Sequence, residues 1–251
     1  MHIGTILTAT DTNFVYIGFI PLFVKAWQKV LPEADIKIIL IGDDIPESVK
    51  EYEPFITLIK PIGGMHTAFQ AQCIRLLYPR QIERNEGVLI TDMDIIPLSR
   101  KYYVDNIKEL PDDAFVVYRD ILLPKEISVC YNVAVPTIWS KMFGNLTNEE
   151  LLKEWYSTSR YQGIPGGEGW TTDQIVLVNT FNKYNGNKIV LNDTTTKFRR
   201  LDRGLHEFDY IYNYDKETLK GLIKDGVFAD YHCLRPHRSF KDINNYVVSC
   251  L

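Results

Sequence analysis

Two carboxylates stand together near the middle of the sequence, where they could hold a divalent metal ion. Asp92 and Asp94 follow Gly87–Thr91, a largely apolar run that predicts a buried β-strand. Burying two like charges side by side is costly unless a cation compensates them. An Asp-x-Asp arises by chance in many chains, so the alternative is that these residues form a turn with two solvated acids. The strand context favours a metal-binding pair.

Strand and helix patterns alternate through the first half of the chain and must position this pair. The predicted strands are Ile3–Ala9, Ile36–Ile41, Phe55–Ile59 and Gly87–Thr91, and the predicted helices are Phe14–Val30 and Thr67–Tyr78. Such alternation implies a parallel sheet with helices on both faces. Ligands of these sheets bind beyond the carboxyl ends of the strands, and the two acids fall at such an end.

The second half of the chain is less regular. Strands are predicted at Ala114–Tyr118 and Val129–Val135, helices at Asn148–Ser159 and Thr172–Asn182, and a loop-rich tail after them. No repeat, low-complexity tract or Gly/Ser/Pro linker divides the 251 residues, a length within reach of one large domain. We therefore expect a single domain.

Composition excludes several classes of protein. With 45% hydrophobic and 24% charged residues, the chain is an ordinary globular sequence that can bury a sizeable core. Its net charge is −4, and it has no basic stripe of the kind that nucleic-acid binders carry. The apolar stretch Phe14–Val24 is far too short for a membrane span, and the N-terminus lacks the features of a signal peptide. Four cysteines without a C-x-x-C pair predict reduced, buried thiols and a soluble, cytoplasmic protein.

The strand that ends in Asp92 and Asp94 resembles the matching segment of the GT-A glycosyltransferases, and the likeness of architecture covers most of the chain. It implies a single-domain, Rossmann-like α/β fold with a mixed, mostly parallel sheet flanked by helices. Residues 1–100 would form the nucleotide-sugar-binding half and residues 101–251 the acceptor-binding half. The two acids would bind Mn²⁺ or Mg²⁺, and Asp92 would also contact the donor. In that fold the metal bridges the donor's diphosphate and is a Lewis acid for the departing nucleoside diphosphate.

The stretch Ala229–Pro236 is similar to a late segment of glycosyltransferase family 8, in which a histidine is the third protein ligand of the metal. The likeness implies that His232 binds the metal and that Arg235 or His237 contacts the diphosphate. The Gly and the Lys-Pro-Trp that usually follow this histidine are absent here. A hydrogen-bonded core histidine is the alternative for His232. Two carboxylates, an imidazole and diphosphate oxygens suit Mn²⁺ slightly better than Mg²⁺.

A polar segment follows the first predicted strand, and in GT-A enzymes the matching segment cups the nucleoside. Backbone groups, with a carboxylate or an amide, can contact the base edge and the ribose hydroxyls there. Capping of the next helix by a side chain between Asp11 and Asn13 is an alternative, and both roles can hold at once. The residues assigned to the nucleoside are Thr8, Ala9, Thr10, Asp11 and Asn13.

Two further positions resemble donor contacts of related enzymes. Arg75 lies in the predicted helix Thr67–Tyr78, where those enzymes offer a basic side chain to the donor phosphate or sugar. A surface arginine is the alternative. Asn132 matches, more weakly, an asparagine in a family 8 strand that touches the donor sugar. Both are assigned to the donor.

The pair Asp173-Gln174 opens a predicted helix and is typical of family 8, where it faces the transferred sugar. The glycines before it can form a flexible acceptor-side loop, with Trp170 as a stacking platform. Asp173 could instead be an acidic residue that stabilises the helix dipole. As a general base it would cause inversion at the anomeric centre. As a sugar-positioning group it would leave assistance to the departing diphosphate, with retention, which the likeness to family 8 favours.

Three other protein classes compete for these features. A haloacid-dehalogenase-type phosphatase also has an Asp-x-Asp after a strand, but it needs Thr or Val where this chain has Ile96. A sugar nucleotidyltransferase needs a Gly-rich loop after the first strand, and Thr8–Asn13 contains no Gly. A non-catalytic nucleotide-sugar-binding protein is disfavoured by the joint presence of the acidic pair, the late histidine and the Asp-Gln pair. The sequence therefore predicts a metal-dependent glycosyltransferase that moves a hexose from a nucleotide sugar, with UDP favoured, to a carbohydrate or other hydroxyl acceptor.

Overall fold

Two β-sheets organise residues 1–204 and 209–251, the part of the chain that this computed structural model describes. The strands, numbered along the chain, are β1 Ile3–Asp11, β2 Asp35–Ile41, β3 Ile56–Ile59, β4 Gly87–Ile90, β5 Ile95–Pro97, β6 Ala114–Val117, β7 Asn132–Ala134, β8 Asn187–Val190, β9 Arg199–Asp202, β10 Asp209–Tyr210 and β11 Phe228–His232. The helices are α1 Ile20–Val30, α2 Thr67–Leu77, α3 Arg100–Asp105, α4 Pro136–Phe143, α5 Asn148–Ser159, α6 Thr172–Lys183, α7 Asp193–Thr196, α8 Lys216–Lys224 and α9 Lys241–Ser249.

The larger sheet has seven strands in the order β3-β2-β1-β4-β7-β6-β8. Its neighbours are parallel except around β7, which is antiparallel to both β4 and β6. Every residue of β1 is buried, as expected for a central strand with helices over both faces. The predicted Rossmann-like, mixed and mostly parallel sheet is confirmed.

Successive residues of the central strands enter two different hydrophobic cores. Ile6 of β1 packs in the core with Phe23 and Trp27 of α1, whereas the next residue, Leu7, packs with Phe69 of α2. Successive side chains of a strand point to opposite faces, so α1 and α2 cover opposite sides of the sheet. The carboxyl ends of β1 and β4 stay open between these helices, and the acidic pair follows β4 there.

A second sheet makes the C-terminal region more ordered than predicted. Its order is β10-β9-β11-β5, with β11 antiparallel to β5, so that His232 pairs with Ile95. The prediction of a loop-rich tail was wrong, because β9, β11, α8 and α9 all lie there. The hydrophobic pattern did not predict these strands because they bury charged side chains. Arg200 of β9, for example, donates to Asp230 of β11 inside the sheet. This sheet brings the end of β11 against the segment that follows Asp94.

The first helix begins later than predicted. The backbone N–H of Asn13 donates to Asp11, and that of Val15 donates to Asn13, so local side-chain bonds hold this segment as a loop. A 3₁₀ turn at Ile17–Phe19 then precedes α1. The four cysteines are buried and free, as predicted. In the described ranges, no helix combines the length and apolar character needed to cross a membrane.

Candidate functional site

A cavity of about 220 Å³ opens at the carboxyl ends of β1 and β4. Most of the residues singled out in the sequence meet in its wall, although they come from five separate segments of the chain. Those that line it are Ala9, Thr10, Asp11, Arg75, Asp92, Asp94, Trp170, Asp173, Gln174, His232 and Arg235.

Asp94 is a buried acid surrounded by cationic side chains. Only 4% of the residue is exposed, and its Oδ2 accepts a 2.7 Å hydrogen bond from Arg203. His232 Nε2 and Arg235 Nη1 each lie 3.5 Å from the same oxygen. Burial alone would raise the pKa of Asp94, but the charge of His232, with those of the two arginines, lowers it well below the ordinary range.

His232 is held by a second carboxylate, that of Asp202 at the end of β9. His232 Nδ1 lies 2.9 Å from Asp202 Oδ2, and this contact directs Nε2 toward Asp94. Burial would lower the pKa of His232, but the charge of Asp94 and the hydrogen bond to Asp202 raise it to about 9. A carboxylate behind an imidazole is the common way in which proteins orient a histidine that binds a metal.

Arg75 links the acidic pair to the Asp-Gln pair. Its guanidinium donates to Asp92, to the carbonyl of Thr91 at 3.2 Å, and to Asp173 Oδ2 at 3.1 Å. Only 6% of Arg75 is exposed, which excludes the surface arginine considered above. One cation in α2 therefore serves two carboxylates from different segments of the chain.

Asp173 lies in the first turn of α6 with 4% exposure. Its Oδ1 accepts the backbone N–H of Gln174 at 2.9 Å, while Oδ2 faces Arg75. Burial raises the pKa of Asp173 to about 6, against the opposing charge of Arg75. The carboxyl is thus mostly ionised at neutral pH, and both of its oxygens accept protein hydrogen bonds.

The donor atoms at Asp94 and His232 fit a divalent cation by type. Carboxylate oxygen with imidazole nitrogen suits Mn²⁺, and the bond to Asp202 orients that nitrogen. Within residues 1–204 and 209–251, however, no three His, Cys, Asp or Glu side chains already converge as a ligand set. Asp92 turns instead to Arg75, and Asp94 is bonded to Arg203. The chemistry fits, and two guanidinium groups stand beside the acids.

Four predicted site residues are absent from the cavity lining within the described chain. Thr8 is completely buried in β1, and Asn13 is exposed beyond that strand. Asn132 is buried and donates to the carbonyls of Ser128 and Val129 at 2.8 and 2.9 Å. Because Ser128 and Val129 line the cavity, Asn132 supports the wall from behind.

His237, the alternative to Arg235 for the diphosphate, is the fourth of these residues. Its ring packs 5.2 Å from that of Phe19, and its Nδ1 lies 3.4 Å from the amide of Asn244. Arg235, in contrast, donates to the hydroxyl of Tyr16 and faces the cavity. Of the two basic residues proposed for the phosphate, the structure brings only Arg235 to the cavity wall.

Sequence reasoning missed several residues of the cavity. Arg203 and Tyr16 line it, and Asp202 stands behind His232. Burial and the nearby charge of Asp94 raise the pKa of Tyr16 to about 12. For Arg203 and Asp202, the only signal in the sequence was the charged stretch Arg199–Arg203 to which they belong. That stretch has no motif that distinguishes it from a solvated loop.

Trp170 reaches the cavity from the glycine-rich loop that precedes α6. Its ring stacks on Tyr161 at 5.9 Å with an interplanar angle of 18°. Gly169 before it has φ +77°, and a Cβ there would lie 2.4 Å from the carbonyl oxygen of Ser159. A glycine is therefore required to hold the chain close to α5 and present the indole to the cavity.

Solved structures of glycosyltransferases share this architecture. The galactosyltransferase LgtC, crystallised with donor and acceptor sugar analogues, matches 98% of this chain and 96% of its own, with a TM-score of 0.54 and 15% identity. The glycosyltransferase GlyE of Streptococcus pneumoniae TIGR4 matches 93% of this chain and 55% of its own, with a TM-score of 0.51 and 18% identity. The bifunctional glycosyltransferase WbbM matches 92% and 45%, with a TM-score of 0.50 and 11% identity.

These likenesses concern the fold. The chain spans about half the length of GlyE and WbbM and nearly all of LgtC. No protein-family model and no curated protein matches the sequence. The predicted GT-A fold is confirmed, with the cavity at the edge of the sheet where ligands of such folds bind.

Proposed function

We propose that the protein is a metal-dependent glycosyltransferase that transfers a hexose from a nucleotide sugar, preferably a UDP-sugar, to a hydroxyl acceptor. The observation that carries the proposal is the meeting of Asp92, Asp94, His232 and two basic side chains in one cavity of a GT-A fold. Such a site has ligands for a cation and positive charge for a diphosphate. A purely structural role would leave this combination without a use.

Asp92, Asp94 and His232 are the residues that would hold Mn²⁺ or Mg²⁺. A carboxylate has about four lone-pair sites, so the bond from Arg75 leaves Asp92 able to act as a ligand. The metal, when bound, supplies Lewis-acid stabilisation of the departing nucleoside diphosphate. Arg235, which lines the cavity beside Asp94, would bind a diphosphate oxygen.

Asp173 and Gln174 position the transferred sugar. Both oxygens of Asp173 accept protein hydrogen bonds, and Arg75 stabilises its charged form. Both oxygens are already engaged by Arg75 and by the Gln174 N–H, so the carboxylate is held as a fixed acceptor for sugar hydroxyls, although its raised pKa would also suit a base. This supports retention, in which a diphosphate oxygen takes the acceptor's proton, over a mechanism with a protein base.

The nucleoside is bound at the end of β1, where Ala9, Thr10 and Asp11 line the cavity. Thr67 donates to Asp11 Oδ2 at 2.8 Å and fixes the carboxylate for a ribose or base contact. Trp170, in the loop before α6, also lines the cavity and offers its ring face to a sugar acceptor. The division into halves at residue 100, and the cytoplasmic location, stay predictions.

A thermal-shift screen of UDP- and GDP-hexoses, with and without Mn²⁺, tests the proposal. Ligands that bind only the folded state raise Tm by mass action, about 2.7 kcal/mol of stability at 100 times Kd. We expect a rise with a UDP-hexose that requires Mn²⁺, followed by slow release of UDP. A rise without any turnover would instead indicate a nucleotide-sugar-binding protein. The absence of any rise would contradict the proposal.

A further inference from the structure

Arg203 stands beside the carboxylate that is expected to bind the metal. It follows β9, and its Nη1 donates to Asp94 Oδ2 at 2.7 Å and to the carbonyl of Cys233 at 3.2 Å. Its side chain is 19% exposed, and it lines the cavity. Neither the acidic pair nor the late histidine motif accounts for a guanidinium at this position.

Two guanidinium groups share a single oxygen of Asp94. Arg235 Nη1 lies 3.5 Å from the oxygen that already accepts from Arg203. One carboxylate neutralises one guanidinium, and surplus positive charge in a partly buried wall is costly unless an anion is bound nearby. With His232 paired to Asp202, the charged groups that the structure describes at Asp94 are one carboxylate and two guanidiniums, which leaves a positive charge that a diphosphate could neutralise.

Asp202 couples the turn that carries Arg203 to the imidazole of His232. Its Oδ1 accepts the backbone N–H of Gly204 at 2.8 Å, and its Oδ2 contacts His232 Nδ1. Gly204 has φ +123°, a backbone conformation that favours glycine and turns the chain here. The backbone of the turn beside Arg203 is thus fixed, and the guanidinium stands at the end of a long side chain in the cavity wall.

We propose that Arg203 competes with the metal ion for Asp94 in the donor-free protein and, once displaced, binds the donor's diphosphate. The proposal rests on the proposed function and adds a residue to it. The planar guanidinium fits a phosphate as well as it fits a carboxylate, often with two parallel bonds. Unlike the carboxylate of Asp92, Asp94 presents one oxygen, Oδ2, to three cationic groups at once, those of Arg203, His232 and Arg235. An ion that takes this crowded oxygen displaces the 2.7 Å bond from Arg203 and frees the guanidinium beside the incoming phosphates.

This exchange makes metal and nucleotide binding cooperative. Without nucleotide, the metal must displace Arg203 and leave it unpaired, so its affinity is low. With nucleotide, the displaced guanidinium gains a phosphate partner, so each ligand strengthens the other. The coupling must be reciprocal, because the two affinities are thermodynamically linked. Free metal would then be bound weakly until a donor arrives.

The test measures Mn²⁺ affinity without nucleotide, from the signal of free Mn²⁺ in electron paramagnetic resonance, and UDP affinity at saturating Mn²⁺ by calorimetry. Arg203→Ala should raise Mn²⁺ affinity about tenfold, because it removes a charged hydrogen bond to Asp94. The same variant should lower UDP affinity by about tenfold or more. A purely structural role would not shift the two affinities in opposite directions.

Two further variants serve as controls. Arg203→Lys keeps the positive charge but lacks the planar guanidinium that can make two parallel hydrogen bonds. Its affinities for Mn²⁺ and UDP should fall between those of the wild type and of Arg203→Ala. Arg100→Ala removes an arginine whose ion pair with Glu33 is exposed, and it should change neither affinity. Circular dichroism and Tm verify folding, and if Arg203→Ala is unfolded, the Lys variant supplies the comparison.

The outcomes separate this proposal from the proposed function. Mn²⁺-dependent UDP binding in the wild type, with unchanged or weaker Mn²⁺ affinity in Arg203→Ala, would overturn the competition alone. Unchanged UDP affinity in that variant would overturn the phosphate role. No Mn²⁺ and no UDP binding by either protein would overturn the proposed function together with this inference. Metal-free UDP binding that Arg203→Ala abolishes would show that arginine replaces the metal, contrary to both.

Discussion

Asp94 and Asp173 lie in one cavity and are equally buried, with 4% of each residue exposed, yet their pKa values move in opposite directions. Burial favours the neutral form of both. At Asp94 three cationic groups outweigh burial, whereas among the described residues Asp173 pairs with Arg75 alone, which it shares with Asp92. The number of cations within reach, and not the degree of burial, decides the charge of each acid.

This difference divides the cavity into two regions with different chemistry. The Asp94 region is rich in positive charge and suits a metal ion and a diphosphate. In the Asp173 region the guanidinium of Arg75 is shared by the carboxylates of Asp92 and Asp173, and this region suits the neutral hydroxyl groups of a sugar. A nucleotide sugar has both parts in one molecule, which is why the comparison supports such a donor.

The largest expected effect comes from the Asp94 region. Asp94→Ala removes a metal ligand and leaves Arg203, Arg235 and His232 without their shared acid. We expect Mn²⁺-dependent UDP binding to weaken by more than about 100-fold, beyond the range for groups that only support a ligand. Calorimetry with UDP and GDP measures this. Unchanged Mn²⁺-dependent nucleotide affinity in a folded variant would contradict a role for Asp94 in metal binding.

Asp173→Asn tests the other region while keeping the shape of the side chain. As a sugar-positioning group its loss should weaken donor affinity and lower turnover together, the latter about 100-fold, because misplaced reactants lose much of the benefit of orientation. A fall in turnover of about 10²–10⁴ with donor affinity intact would indicate a general base instead. Full activity with a slightly lower Tm would reduce Asp173 to a residue that stabilises the helix.

His232→Ala is expected to act on the metal alone. It should weaken Mn²⁺ affinity by about 10–100-fold or more, since Asp92 and Asp94 remain. Asp202→Asn is the companion variant, because it keeps the imidazole but weakens its orientation, and it should have a smaller effect in the same direction. An unaltered Mn²⁺ titration with lower stability would indicate a core histidine.

A separate effect concerns the stability of the metal-free protein at different pH values. The pKa of Asp173 is about 6 in the folded state and 3.8 ordinarily, so the folded state binds more protons between these values. Stability contributed by this group therefore falls as pH rises from about 4 to 6, then stays constant. The loss is on the order of 3 kcal/mol, at 1.36 kcal/mol per pKa unit.

Asp94 has the opposite sign in the same experiment. Its lowered pKa contributes stability above the ordinary carboxyl value, and this stability is lost as pH falls toward the folded-state pKa. Denaturant unfolding of the wild type and of Asp173→Asn at pH 4 and pH 7, with a chelator present, isolates the Asp173 contribution. Parallel pH dependence of the two proteins would contradict the assignment.

Local pattern sufficed for the parts of the molecule that are apolar and regular. The strand Gly87–Thr91 and the helix Asn148–Ser159 were predicted nearly as observed. The structure adds a capping box at Thr147, which begins that helix. The acidic pair could be placed at a sheet edge because it directly follows the apolar run Gly87–Thr91. Arg75 and Asp173 also meet in the cavity, although they are 98 residues apart.

The remaining strands and site residues could not be predicted from local pattern, because they depend on contacts between distant parts of the chain. The strands β9 and β11 bury Arg200 and Asp230 against each other, so neither segment has the alternation that predicts a strand. Arg203 and Asp202 belong to that same charged stretch and acquire a role only when β9 lies beside β11. His237 looked equivalent to Arg235 in sequence, and only the packing of its ring on Phe19 distinguishes them.

The most direct test of the central claim follows the release of UDP from UDP-hexoses by the wild-type protein, in Mn²⁺ and in a chelator. We expect UDP release that requires Mn²⁺, is accelerated by a hydroxyl acceptor, and is lost in Asp94→Ala. Release that is equally fast in the chelator would contradict metal dependence. The absence of release from every UDP- and GDP-hexose, in a folded protein with Mn²⁺ bound, would contradict the glycosyltransferase itself.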